Sequence, residues 1–554
     1  MAIIPRPDVL YLGEAVQTNT VWGFSPKAEE QPQVYIDEMM SALFTPPEHS
    51  FNHPEMREDL ELDTLVDKAF EPDYSKEFVR RVFSSAPTRR DVILDRQQTL
   101  ETLFQNDEER KRVEDVAQSL NGIVKTLLDI DKQKRLRNFA YTGGLLAAEV
   151  TLLSGYVNVI HSLGELPESS QALRQLREFG RTVKTSEDFQ ELEQYSNAFR
   201  NRYTFTLEVA VDAVGAVTGL NIVGINTSGS FTRNGFLPNL RGRGVLGKLG
   251  VDHYEIVAQA IDKIVNKNLK QISEASFLLG PLDFYLSALN FYDQMGVKSV
   301  VLTLPEIIDM KERATFIPGV RNPLLLYKKG EKRIEKGNDI VPNDISYDAQ
   351  KRVRIISGPN SGGKTVYLKA VGIATVLAQN GMRIPAQVDG QPCKISAVDE
   401  LYTVFVSREE TTADAGGQLE YQAKQVLKVL KRLTPHSLVL FDEIGRGTSE
   451  DEGTDFCFDN IIHPLTLSSE GPIGSAAYFS THLHHFAERA DRVGGVENYQ
   501  AEIVRGDHEQ LAPTYRMIPG RAGKSYAKLV EGKVGLGKDN VDSLIRERRE
   551  RGNL

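Results

Sequence analysis

The sequence predicts a multidomain chain, a mainly α-helical region followed by an α/β domain built on a largely parallel sheet. Three observations carry this. Apolar residues recur at helical spacing through the first part, as in Val113, Val116, Leu120, Val124 and Leu128. In the second part short apolar runs alternate with helical stretches, the order expected of parallel strands covered by helices. One such run, Val353 to Ile356, leads one residue later into a glycine-rich loop and then a helix-compatible segment, Val366 to Gln379.

A length of 554 residues suggests about three or four structural units. The 40% hydrophobic and 26% charged content is ordinary for a globular protein with substantial cores. No apolar run of spanning length is read, and no basic-then-apolar amino terminus. Membrane insertion and secretion are therefore disfavoured, and a cytoplasmic protein is expected. Two cysteines, Cys393 and Cys457, are too few for a disulfide framework and read as small hydrophobes of the second domain. The net charge of −10 takes composition away as an argument for nucleic-acid binding, although a local basic channel can operate on an acidic molecule.

Along the chain, residues 1–50 are mixed, hold the only tryptophan, Trp22, and suggest no role. From Phe51 the pattern is helical, with breaks at Pro72 and at Ala86-Pro87, then a long helix carrying Leu100, Leu103 and Phe104. The charged stretch Asn106 to Lys132 continues as helix, its run Glu108 to Arg112 a solvated face. Near Tyr203 the period changes to two, and Gly219 to Ile225 follows a short turn. A strand-rich insert near 203–250 is expected, ending in the Gly/Arg segment around Arg241 and Arg243. These arginines suit phosphate contact; a structural hairpin with solvated arginines is the competing reading. Helix returns from His253 to about Met295, where Phe284, Tyr285, Phe291 and Tyr292 read as core aromatics. Lys298 to Leu304 reads as a strand. The divisions expected are 1–50, a helical region over 51–314, and an α/β domain over 315–554.

The chemistry concentrates in the last of these. Gly358-Pro359-Asn360-Ser361-Gly362-Gly363-Lys364-Thr365 fits the spacing of a phosphate-binding loop. Glycines there let backbone N–H groups converge on anionic oxygens at a helix N-terminus. Lys364 would reach the outer phosphates of a nucleoside triphosphate, and the Thr365 hydroxyl would complete a Mg²⁺ shell. The apolar run Ser437 to Phe441 ends in Asp442-Glu443. Asp442 is assigned to the metal and Glu443 to the attacking water. A further run, Ala476 to Ser480, ends in Thr481-His482, which places His482 to bond a γ-phosphate. Between them, Gly416-Gly417-Gln418 opens a helical stretch, Leu419 to Arg432. It reads either as an ordinary capped loop or as a second anion-binding end that reaches a nucleotide on another subunit.

The phosphate loop, the string Asp442-Glu443-Ile444-Gly445-Arg446-Gly447-Thr448-Ser449 and Ser480-Thr481-His482 together closely resemble the ATPase domain of the MutS family, a branch of the ABC class. The tail agrees, with Pro519-Gly520-Arg521-Ala522-Gly523-Lys524-Ser525-Tyr526-Ala527 similar to that domain's closing segment. The resemblance is strong over about 315–548 and weaker over 87–310, which is similar to the family's helical core and lever. It implies a homodimer of ABC-like ATPase domains, ATP and Mg²⁺ as cofactors, and Gly416, Gly417 and Gln418 completing the partner's site. That last segment departs from the usual Ser-Thr-Phe form and is more like an ABC signature loop. No unit similar to the amino-terminal mismatch-reading domain is expected before the helical region, and no nuclease-like domain is expected after the ATPase. The function expected is ATP-driven control of grip on DNA, with branched or other non-duplex structures preferred, in repair or recombination. The alternative is a ribosome- or protein-associated ATPase that uses the same engine.

Overall fold

The computed structural model describes residues 4–11, 50–51, 53–135, 143–201, 203–211, 217–227, 253–327, 336–405, 417–505, 511–522 and 538–551. These fall into two compact units. The first draws on 1–45, 72–81 and 95–289, the second on 46–71, 82–94 and 290–554.

The first unit is helical. The helix Asp107–Arg135 buries Val113, Val116, Ala117, Leu120, Ile123, Val124 and Leu127, a stripe at three- and four-residue steps. Acids in its first turn and Lys132, Lys134 and Arg135 in its last complement the helix dipole. This stripe packs on the helix Gly143–Gly164, which also meets Gln171–Thr185, Glu187–Asn201 and His253–Ser276. Within it, Gly144–Gly164 is the one stretch among the described residues long and apolar enough to cross a bilayer, whereas the sequence reading expects none. This helix packs against four others, has 44% of its apolar window buried, and carries a buried Glu149. The expected strand pair forms as β1 (Tyr203–Val211) and β2 (Val217–Thr227), antiparallel with Phe205 opposite Ile225. Arg241 and Arg243 lie outside the described residues.

Residues 4–11, for which the sequence suggests no role, are strapped into this unit. The Gln271 amide bonds both backbone groups of Ile4 at 3.0 Å. Arg96 lies over the Tyr11 ring and donates to the Leu10 carbonyl at 2.8 Å, while the Tyr285 hydroxyl donates to that of Val9 at 3.0 Å.

The second unit holds two sheets. In chain order its strands are β3 (Glu306–Ile308), β4 (Thr315–Val320), β5 (Asn343–Tyr347), β6 (Val353–Ser357), β7 (Lys394–Ser396), β8 (Leu401–Phe405), β9 (Leu438–Asp442), β10 (Ala476–Thr481), β11 (Val496–Arg505) and β12 (Leu511–Pro519). The smaller sheet runs β3-β7-β4-β5 and the larger β12-β11-β6-β10-β9-β8. In the larger sheet every neighbouring pair is parallel except β11 with β12. Every residue of β6, β9 and β10 is buried, as the apolar runs require of strands covered on both faces. The helix Lys364–Gln379 is correspondingly apolar almost all round and buried. At its end, Gln379 donates to the Pro87 and Val398 carbonyls and Asn380 to that of Phe83, which ties the 82–94 segment to the sheet.

The expected strand over Lys298 to Leu304 does not form. The helix Leu279–Val297 runs up to it, and Ser299 turns left-handed (φ 58°) so that the Val300 amide donates back to Met295 at 2.9 Å. Lys298 and Ser299 thus serve a helix C-cap, which leaves too little extended chain before Pro305. Phe284, Tyr285, Phe291 and Tyr292 are all core residues, as expected. Cys457 is buried in the core beside the larger sheet, and burial pushes its thiol up to about 12; Cys393 is half-buried and also free.

Candidate functional site

The strand order places the carboxyl ends of β6, β10 and β9 side by side. Ligands of open parallel sheets sit beyond such ends. Each strand delivers one part of the predicted set there.

After β6 the chain makes the loop 358–363 and enters the helix at Lys364. Gly358 and Gly363 have φ of +145° and +85°, conformations that disfavour a side chain. Gly358 and Gly362 also lie against β11. A β-carbon on either would fall within 3 Å of the Ala501 methyl, at 2.9 and 2.7 Å. Ala501 is therefore a floor for the loop, a role no sequence motif signals. Lys364 is buried, and its ammonium donates to the loop carbonyls of Gly358 (2.8 Å) and Pro359 (3.0 Å). Desolvation brings it down to about 8, against the pull of Glu443 and Asp442.

β9 ends in Asp442, which is buried and doubly held. Thr365 Oγ1 donates to one carboxylate oxygen at 2.8 Å, and Ser480 Oγ of β10 donates to the other. Burial pushes this carboxyl above its ordinary range, although both hydroxyls pull it down. The next residue, Glu443, is left-handed (φ 55°), and its amide donates to the Ser480 carbonyl at 3.0 Å. Its carboxylate meets His482 Nε2 at 2.7 Å and the Arg446 guanidinium at 2.5 Å. The His482 hydrogen bond first, then the charges around it, hold it down to about 2. His482 Nε2 also lies 3.4 Å from the Lys364 ammonium. Lys364, Thr365, Asp442, Glu443 and His482 are thus one connected cluster.

Gly417 and Gln418 begin the helix Gln418–Leu430, and Gly416 lies outside the described residues. Gly417 is exposed, and a β-carbon on it would meet nothing within 4 Å. The Gln418 side chain lies against Gly447, since a β-carbon there would fall 2.6 Å from Gln418 Oε1. Side-chain bonds with the five-residue cluster are not among the contacts of these two residues.

Gln422 is a positioning residue that sequence reasoning missed. Fully buried, it accepts from the Gly445 amide at 2.8 Å and donates to the Arg446 carbonyl at 3.0 Å. It clamps the turn that follows Glu443. A polar side chain sharing a helix face with Val426 and Val429 was the available signal. Gln422→Leu should orphan both backbone groups, cost about 2–3 kcal/mol and slow turnover, as read by denaturant titration and a phosphate-release assay.

No group of three or more His, Cys, Asp or Glu among the described residues forms a metal cage. The hydroxyl of Thr365 and the carboxylate of Asp442 supply two adjacent hard oxygens. That set fits Mg²⁺, which keeps waters and phosphate oxygens as most of its ligands. The glycine cradle, the helix N-terminus and Lys364 fit a polyphosphate.

Residues 354–547 match the family described as MutS domain V. The chain is 29% identical over 290 residues to "Endonuclease MutS2" of Alkaliphilus oremlandii, covering 52% of this chain and 33% of that protein. It is 32% identical over 273 residues to "Endonuclease MutS2" of Staphylococcus carnosus, covering 49% and 31% respectively. Against "DNA mismatch repair protein MutS" of Salinibacter ruber it is 32% identical over 222 residues, covering 40% and 23%. The chain therefore spans a third or less of the length of these curated relatives. The matched family segment contains Lys364, Thr365, Asp442, Glu443 and His482. Residues 354–547 thus match a MutS family domain, and the chain is similar to MutS and MutS2 proteins over about half of its length.

Proposed function

We propose that the chain is a Mg²⁺-dependent ATP hydrolase that works as a homodimer on DNA, branched or otherwise non-duplex, in repair or recombination. The observation that carries this reading is the meeting of five side chains at the ends of three adjacent strands. Lys364 and the backbone N–H groups of Gly358, Asn360, Ser361, Gly362, Gly363, Lys364 and Thr365 receive the phosphates, while Pro359, which has no N–H, shapes the loop between them. Thr365 and Asp442 hold Mg²⁺, which when bound neutralises charge on the phosphate oxygens. Glu443 orients the attacking water and accepts its proton, and His482 bonds the γ-phosphate. Gly416, Gly417 and Gln418 lend backbone amides to the nucleotide of the partner copy. The domain reading is a helical core and lever over 51–314 that moves when the ATPase domains over 315–554 close.

Lys364→Ala should weaken ATP binding by about 10–100-fold, the loss of a charge-assisted contact worth about 1.5–3 kcal/mol. Calorimetry with a slowly hydrolysed ATP analogue checks this; unchanged affinity removes Lys364 from the site.

The printed names of the relatives, an endonuclease and a DNA mismatch repair protein, support DNA as the substrate class. The net charge of −10 favours the second reading, a ribosome- or protein-associated ATPase. A gel-shift panel of branched, mismatched, single-stranded and plain duplex DNA, with and without ATP, separates them. ATP-dependent retention of the branched forms is expected. ATPase stimulation by ribosomes and by no DNA would replace the first reading with the second.

A further inference from the structure

The amino ends of the same three central strands carry a small pocket with a largely apolar lining. It is lined by Arg313, Arg352, Tyr347, His436, Ser437 and Gly474 among others. Arg352 directly precedes β6, His436 and Ser437 precede β9, and Gly474 precedes β10. The catalytic cluster sits at the opposite ends of these strands.

Two guanidinium groups converge here. A β-carbon on Gly474 would lie 3.3 Å from Arg352 Nη1 and 3.5 Å from Arg313 Nη1, so both tips reach one point above that glycine. Neither arginine makes an ion pair or a side-chain hydrogen bond with any described residue. The flanking cations behave differently, since Lys351 and Arg354 share Glu497. The Arg352 Nε is buried without an acceptor. Burial first and the Arg313 charge second lower the Arg352 pKa, so the two cations repel each other in a partly dry place.

An arginine does not shed its proton to escape such a site. Two like charges held together, half out of water and without a carboxylate, are unfavourable unless an anion answers them. A tetrahedral oxyanion meets the need, because its oxygens accept from two guanidinium forks at once. Gly474 is what leaves room for it, since any side chain there would occupy the convergence point.

We propose that Arg313 and Arg352, with the cavity they line at the amino ends of β6, β9 and β10, bind a phosphate group. It is carried by free phosphate or by a small phosphate monoester. This site is separate from the glycine-rich loop and does not depend on the ATPase reading.

The test is thermal unfolding and calorimetry of the full chain with inorganic phosphate or glycerol 3-phosphate as the probe. Lys364→Ala protein is used throughout, so that the loop does not contribute. Binding of either probe, with a melting temperature that rises with its concentration, supports the site, and the tighter probe identifies the source. Arg313→Gln/Arg352→Gln in the same background should bind at least tenfold more weakly. It should also melt higher than its parent without phosphate, because the repulsion is gone; a folding defect would lower it instead. Arg352→Lys should retain part of the binding. Two results overturn the proposal: no saturable binding of either probe to the Lys364→Ala protein, or equal binding after both arginines are replaced.

Discussion

Glu443→Gln should bind ATP with near wild-type affinity and hydrolyse it about 10²–10⁴ times more slowly, the range a positioned base contributes. The backbone makes this a clean substitution. Glu443 owes its place to a left-handed turn at the end of β9 and to its amide bond with Ser480, neither of which involves the carboxylate. Glutamine keeps an oxygen for His482 and loses only the charge. The carboxylate is ionised at neutral pH but a weak base, because His482 and Arg446 hold it down to about 2. Catalysis benefits from a base with a pKa near the working pH. Rotation of either partner away from Glu443 would raise its basicity, which fits a site that becomes active when a nucleotide draws His482 toward its phosphate. The variant should then accumulate as an ATP-bound dimer, seen as an earlier peak in size-exclusion chromatography with ATP. Phosphate release at the wild-type rate would remove Glu443 from the catalytic role.

What the sequence made legible follows from where the physics is local. The glycine loop, the buried runs of β6, β9 and β10, and the acids and histidine at their ends are each written in a few consecutive residues. Their convergence follows from the rule that parallel strands present the same ends together. Long-range partners were not legible. Ala501 approaches the loop from β11, more than a hundred residues away, and an alanine in a strand carries no signal of what it faces. Gln422 looked like one more polar residue of an amphipathic helix until its carbonyl and amide met the turn at Gly445 and Arg446. The left-handed conformation of Glu443 is invisible in a sequence, because glutamate is not a residue that prefers it. Lys298 to Leu304 was misread for the complementary reason. Its apolar valines and leucines suit a strand, but Ser299 is consumed by a helix cap whose geometry the composition does not report.

The largest stability effect is expected at Asp283, in the first unit. Its carboxylate is fully buried and accepts from the amides of Asp73 (3.3 Å), Tyr74 (3.2 Å) and Ser75 (2.7 Å). Those amides lead into the helix Lys76–Ser84, so a residue about two hundred positions away supplies its N-terminal acceptors. Asp283→Ala should cost about 3 kcal/mol near pH 5, since three N–H groups, that of Ser75 buried and the others partly so, would lose their acceptor. Burial pushes the Asp283 carboxyl up to about 7, and the three N–H bonds only partly oppose it. In the unfolded chain the same group releases its proton near its ordinary value of 3.8. The folded state thus binds the extra proton between these values, and the stability present below about pH 4 is lost as pH rises toward 7. The full loss is at most about 4 kcal/mol for a shift of roughly three units. Asp283→Asn keeps one acceptor oxygen and cannot titrate. Its deficit against the wild type should therefore shrink steadily from pH 4 to pH 8 in urea titrations followed by circular dichroism. Parallel stability curves for the two proteins would mean that Asp283 is already ionised in the fold at pH 4, stabilised by the helix end more than burial penalises it.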